Sequence, residues 1–128
     1  MTHEDRERLL KDLGGRLPYG VKILDIPTNV VGKLFLISNT DAVQYETADD
    51  TGIQTLYNIK PYLFPLSSMT EEEQRTLDSM CNGVEMVSRL PGLKMFDKAF
   101  NWLNENHFDY RGFIEKGLAI DATGLNIY

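Results

Sequence analysis

The runs Val21-Lys22-Ile23-Leu24-Asp25-Ile26, Val30-Val31-Gly32-Lys33-Leu34-Phe35-Leu36-Ile37, Ala42-Val43-Gln44-Tyr45-Glu46-Thr47 and Ile53-Gln54-Thr55-Leu56-Tyr57-Asn58-Ile59 follow one another closely. They are rich in β-branched and aromatic residues, which suit a pleated, half-buried surface. The breaks between them are short: Pro27, Asn39-Thr40-Asp41 and Asp49-Asp50-Thr51-Gly52. Connections of that length turn a chain back on itself but hold no crossover helix, so the stretch reads as an antiparallel meander and excludes a parallel sheet. Gly32 inside the second run permits a bulge or sharp bend. The sheet is therefore expected either to curl openly or to close as a small SH3-like barrel.

Helical signals lie on both sides. Upstream, Thr2 followed by Asp5 forms a capping-box pattern, and Leu9, Leu10 and Leu13 share one face. Gly14-Gly15 is expected to end this helix, which then lies across the sheet. Downstream, Lys60-Pro61-Tyr62-Leu63-Phe64-Pro65-Leu66 is an apolar piece with proline near both ends. Because proline cannot donate to a ladder, it is expected at a sheet edge or as an extended connection. Thr70 and Glu73 form a second capping box, with Glu71 to Glu73 on the positive end of the helix dipole. That helix runs from Glu71 to Cys81 and stops at Asn82-Gly83. After a loop at Leu90-Pro91-Gly92, a third helix spans Phe96 to Asn106. Phe96, Ala99, Phe100, Leu103 and His107 form its apolar stripe, with Trp102 beside it and Lys98, Asn101 and Glu105 facing away. The tail, Phe108 to Tyr128, suggests a helical turn near Phe113 and a strand near Leu118 to Ile120.

The fold class is thus α+β, a single domain over 1–128. Its boundary near Ser67 separates a helix-plus-meander part (1–66) from a mainly helical part (67–128). At 128 residues and 42% hydrophobic the chain buries a full core without metal or disulfide. Its one cysteine, Cys81, excludes an internal disulfide. That cysteine usage and the charged start Thr2-His3-Glu4-Asp5-Arg6 suit the cytoplasm, and no apolar run is long enough for a membrane span. The net charge is −6, and from Thr70 onward 10 acidic residues face 6 basic ones. Such a balance disfavours nucleic acid, whose affinity comes from lysine and arginine releasing counterions. Mimicry of DNA would need dense carboxylate rows, and only Glu71 to Glu73 and Asp49-Asp50 are contiguous; a solvated acidic surface is the simpler reading.

Two groups of residues stand out. His107, Asp109, Tyr110 and Arg111 supply a base, an orienting carboxylate and an anion-binding group, the parts of acid/base catalysis. Against that, polar residues gather at helix ends, where His107 would meet the negative end of the dipole. Tyr62, Leu63 and Phe64 form a stiff aromatic segment suited to a protein partner, or else they fill the core. Cys81 lies at the C-terminal end of its helix on the apolar stripe, which makes it a buried thiol rather than a nucleophile. His3 and His107 are too far apart for a metal site, no glycine-rich loop cradles phosphate, and no cofactor is implied.

Three blocks carry a resemblance: Arg16-Leu17-Pro18-Tyr19-Gly20-Val21-Lys22, Lys60 through Glu72, and Trp102-Leu103-Asn104 with His107 through Ile114. They resemble a family of short proteins of gut bacteria, their phages and mobile elements, a family without an assigned activity. The resemblance implies an accessory protein of a phage or integrated element. Ile23 to Tyr57 matches least. The leading reading is a non-enzymatic module that binds a host or phage protein through the sheet edge and Tyr62 to Phe64. A small enzyme built on residues 107–111 is the alternative, and nucleic-acid engagement or DNA mimicry is the weaker one. Oligomeric state stays open.

Overall fold

The computed structural model describes residues 1–81 and 89–128, and side chains outside 81–96. Its elements are α1 (His3–Arg16), β1 (Lys22–Asp25), β2 (Val30–Ile37), β3 (Ala42–Glu46), β4 (Thr51–Thr55), β5 (Ile59–Pro65), α2 (Glu71–Cys81), α3 (Arg89–Glu105), β6 (Phe108–Asp109) and β7 (Ile120–Asp121). This is the expected mixture of an N-terminal helix, an antiparallel sheet and later helices.

The sheet runs β4-β3-β2-β1-β5-β6, with β7 also on β5. Strands β1 to β4 form the meander, with Lys22 opposite Lys33, Lys33 opposite Glu46 and Glu46 opposite Thr51. The fourth expected run divides: β4 ends at Thr55, a 3₁₀ turn covers Leu56–Asn58, and Ile59 begins β5 beside β1. Three residues span only about 10 Å. The sheet must therefore curl until the end of β4 lies close to the start of β5. Side chains cross that curl, since Tyr45 donates to Asp25 at 2.6 Å and Gln54 donates to the same carboxylate at 3.2 Å. No ladder joins β4 to β5, so among the described residues the sheet is open.

Several expectations are corrected. The segment Lys60–Leu66 is not an edge: most of it belongs to β5, which pairs with β1, β6 and β7. Its prolines are tolerated because strand residues point their polar groups alternately to the two sides. Asn58 accepts from Ile26 at 2.9 Å, so residues of that parity face β1 and the nitrogen of Pro61 faces away. Within the meander every pairing is antiparallel, as the short connections require; parallel pairing enters only with the tail, as two-residue ladders of Phe64 with Phe108 and Tyr62 with Ile120. The return connections there are long, and they carry α2 and α3.

Gly14-Gly15 does not stop α1. The helix continues to Arg16 and a 3₁₀ turn, and Gly20 at φ +70 ends the run. Gly15 is instead the place where Asn104 of α3 comes close. Gly32 does not carry the bulge, which falls at Phe35, between the pairs Leu34–Tyr45 and Leu36–Gln44. Gly32 and Gly52 both lie under the Tyr45 ring, and a Cβ on either would overlap it. Residues 90–92 are the first turn of α3, not a loop. Pro91 is tolerated there because its missing N–H belongs to the helix's unpaired first four. Phe100 is 46% exposed, while Ala99, Leu103 and His107 are buried as expected. The tail makes turns near Phe113 rather than a helix, and its strand is Ile120–Asp121. The helix stop at Asn82-Gly83 and the side chains of Cys81 and Phe96 lie outside the described residues.

Both capping boxes form. Thr2 accepts from Asp5 N at 3.0 Å, and Thr70 accepts from Glu73 N at 3.1 Å while Glu73 accepts from Thr70 N at 3.0 Å. The core lies on the concave side of the sheet, where Leu9 and Leu13 of α1 meet Val21, Ile23, Leu34, Val43, Leu63 and Phe113, all fully buried. Arg6 fixes α1 to the β2–β3 turn through a two-pronged contact with Asp41, 2.7 and 2.6 Å. Among the described residues no helix is long and apolar enough to cross a membrane.

Candidate functional site

The site begins where α3 ends. Asn106 N donates to Trp102 O at 3.0 Å, and His107 N to Asn104 O at 3.2 Å. His107 has φ +63, the left-handed conformation in which helices end on glycine. A side chain there costs about 1 kcal/mol. The reversal sends the chain into β6, and His107 O accepts from Phe64 N at 2.8 Å, which ties α3 to β5. The imidazole is buried and lies flat on Tyr128, with ring centroids 3.6 Å apart and planes 11° from parallel. Burial, with the charges of Arg16 and Lys22, lowers its pKa to about 4, so the ring is neutral at pH 7. Among the described residues its buried Nδ1 has no hydrogen-bond partner.

The other members of the expected cluster turn elsewhere. Asp109 is buried and accepts from the backbone N–H groups of Phe113 and Ile114, both at 2.9 Å. Tyr110 donates to Asn104 Oδ1 at 3.0 Å, and its ring lies 5.2 Å from each of the Arg16 and Arg111 guanidinium carbons. Arg111 Nε donates to Asp12 at 3.1 Å. Acid/base catalysis needs a base hydrogen-bonded to its orienting group beside a place for substrate. Here the polar ends of Asp109, Tyr110 and Arg111 are each engaged with a partner outside the cluster, the imidazole of His107 bonds to none of them, and no hydrogen bond joins the four to one another. Of Tyr62, Leu63 and Phe64, the first two are buried at 7% and 0% exposure, and Phe64 is half-buried.

Sequence reasoning missed two features. Asp12 and Arg16, both fully buried, form an ion pair of 2.7 Å, and Arg16 also donates to Phe108 O at 2.6 Å. The signal was present: Asp12 and Arg16 are four residues apart and fall on the same face as Leu9 and Leu13. The second is Tyr128. Its hydroxyl donates to Tyr62 O at 2.7 Å and accepts from Lys22 N at 2.9 Å, and burial pushes its pKa up to about 12. No local pattern points to that role, because its partners lie in β1, β5 and the end of α3.

Around His107 a cleft of about 400 Å³ opens between β5, β6, the end of α3 and the tail. Phe64, Phe108 and Tyr128 wall it, with Glu73, Glu105 and Asn106 at its polar side. Phe64 meets Phe108 at 6.3 Å and 58°, and Tyr128 at 5.9 Å and 51°, so the rings form a corner. Among the described residues no group of three His, Cys, Asp or Glu side chains is arranged to hold a metal ion. No family model matches the chain, and neither a curated protein nor a solved structure is similar to it.

Proposed function

We propose that the chain is a non-enzymatic interaction module, an accessory protein of a phage or mobile element that docks a protein partner on the convex face of its sheet. The observation that carries this reading is the apolar content of that face. The convex side of an antiparallel sheet is normally polar. Here Val31, Leu36 and Ile53 occupy it at 38%, 41% and 63% exposure, and Phe35 at the bulge is 39% exposed. Leu36 and Ile53 lie at one end of the face with Phe35 beside them, and Val31 lies at the other, across the polar row Lys22, Lys33, Glu46 and Thr51; exposed apolar side chains sharing one surface mark contact sites. The polar row carries both signs, with Lys33 3.6 Å from Glu46, and Lys60 lies opposite Leu24 on the same face, which favours a partner with apolar contacts and a rim of mixed charge.

Support for an SH3-like arrangement of this module comes from the curl of the meander, the short turn between β4 and β5, and the return of β5 to β1. The mobile-element assignment rests on the resemblance of the three sequence blocks, and the single cysteine favours a reducing compartment such as the cytoplasm. The divergence of His107, Asp109, Tyr110 and Arg111 weighs against the enzymatic alternative, and the acidic balance against nucleic acid.

The test is site-specific photo-crosslinking from Ile53 in a bacterial host carrying such an element. One partner band is expected, lost on Leu36→Lys or Val31→Lys with thermal stability unchanged, and retained on Glu72→Lys. Crosslinking that the two face variants leave intact would overturn the reading, as would a crosslink only to a second copy of the chain.

A further inference from the structure

We propose that the aromatic corner beside His107 is a binding site for an alkylammonium group, supplied either by a free amine or by a lysine side chain. Three observations point the same way, and none involves the convex face. The first is the geometry: Phe64 stands between Phe108 and Tyr128, tilted by 58° and 51° to them, in a cleft of about 400 Å³. Rings set at angles around a common space present several π faces to one guest, the arrangement by which aromatic cages hold ammonium groups.

The second is that the walls are fixed before any ligand arrives. His107 backs Tyr128 at 3.6 Å, and the Tyr128 hydroxyl is bonded on both sides, to Tyr62 O and to Lys22 N. Trp102 backs Phe108 at 5.7 Å and 25°. A preorganised wall spares the ligand the entropy of ordering it. This also gives a reason for an imidazole at φ +63, where glycine would be unstrained: the ring is needed behind Tyr128.

The third is electrostatic. Glu73 and Glu105 line the cleft, and none of its described lining residues is Lys or Arg. Of the nearby cations, Arg16 is paired with Asp12 at 2.7 Å, and Lys22, bonded to Ile127 O at 2.7 Å, lies outside the lining. The neutral imidazole adds no positive charge. A cation in the cleft thus meets both the aromatic walls and the carboxylates of Glu105 and of Glu73, the latter also capping Thr70 N at 3.0 Å.

The experiment compares choline with 3,3-dimethyl-1-butanol, which has the same shape without the charge, using aromatic NMR shifts of the full chain. Choline is expected to move the Phe64 and Tyr128 signals in a saturable way, with the neutral alcohol about tenfold weaker. Glu105→Gln should weaken choline several-fold, and Phe64→Leu should abolish its preference over the alcohol while the fold, read from the amide spectrum, stays intact. A lysine-containing peptide and n-butylamine form the second pair; the tighter binder identifies the source of the ammonium group. Equal binding of choline and the alcohol, or no shift at the highest soluble concentration of any amine, would overturn the proposal.

Discussion

His107 combines a left-handed backbone with a buried ring whose pKa is lowered to about 4 from an ordinary 6.5. The folded state therefore prefers the neutral ring, so this contribution is complete above pH 6.5 and is lost as pH falls toward 4. The melting temperature should decline through that window, above the range where most carboxylates titrate, and His107→Phe should flatten that part of the profile. Asp12 and Arg16 present the opposite case, a charged pair with no exposure at all. Asp12→Ala strands two guanidinium groups and should cost about 3–5 kcal/mol in urea unfolding, whereas a double change to Asp12→Leu with Arg16→Met should recover most of that loss. The two capping boxes were legible because every atom they use lies within three residues of Thr2 or Thr70. The stack of His107 on Tyr128 was not, since nothing near either residue announces a partner brought in by the tail.

Among the elements, β4 shows how an open edge stays unpaired. Its residues 50, 52 and 54 bond toward β3, as the 2.8 Å bonds of Thr47 to Asp50 and Leu56 to Asp41 fix by alternation. Two of the outward N–H groups are taken up locally: Thr51 donates to Asp50 Oδ1 at 2.7 Å and Thr55 to Gln54 Oε1 at 3.0 Å. Among the described residues Ile53 is the one outward donor of β4 not taken up locally, which leaves a second strand fewer donors to pair with. Asp50→Ala combined with Gln54→Val should release both donors and promote concentration-dependent association, visible by light scattering. A variant pair that stays as dispersed as the parent would show that the caps do not guard the edge. The strands of the meander could be read from their period of two. The central place of β5 could not, because prolines that usually mark an edge are accommodated here by facing away from β1.

Over the whole molecule, the concave side of the sheet is covered by α1 and by the turn around Phe113, and the latest segments complete what the earliest begin. Strand β5 is bonded on the β1 side by residues made before it, but its bonds to His107 and Ala122 use residues made long after. Arg16, too, waits for Phe108 O, and Lys22 for Tyr128. At about 5–20 residues per second, a ribosome leaves these positions without partners for several seconds. During that interval the nascent meander carries an unsatisfied central strand and a buried-to-be arginine in water. Nascent chains arrested with residue 100 at the exit should be cut by protease within β5, and chains that have released Tyr128 should not. For this fold, translation speed through α2 and α3 sets how long the half-built sheet is open to chaperones and to its neighbours on the same message.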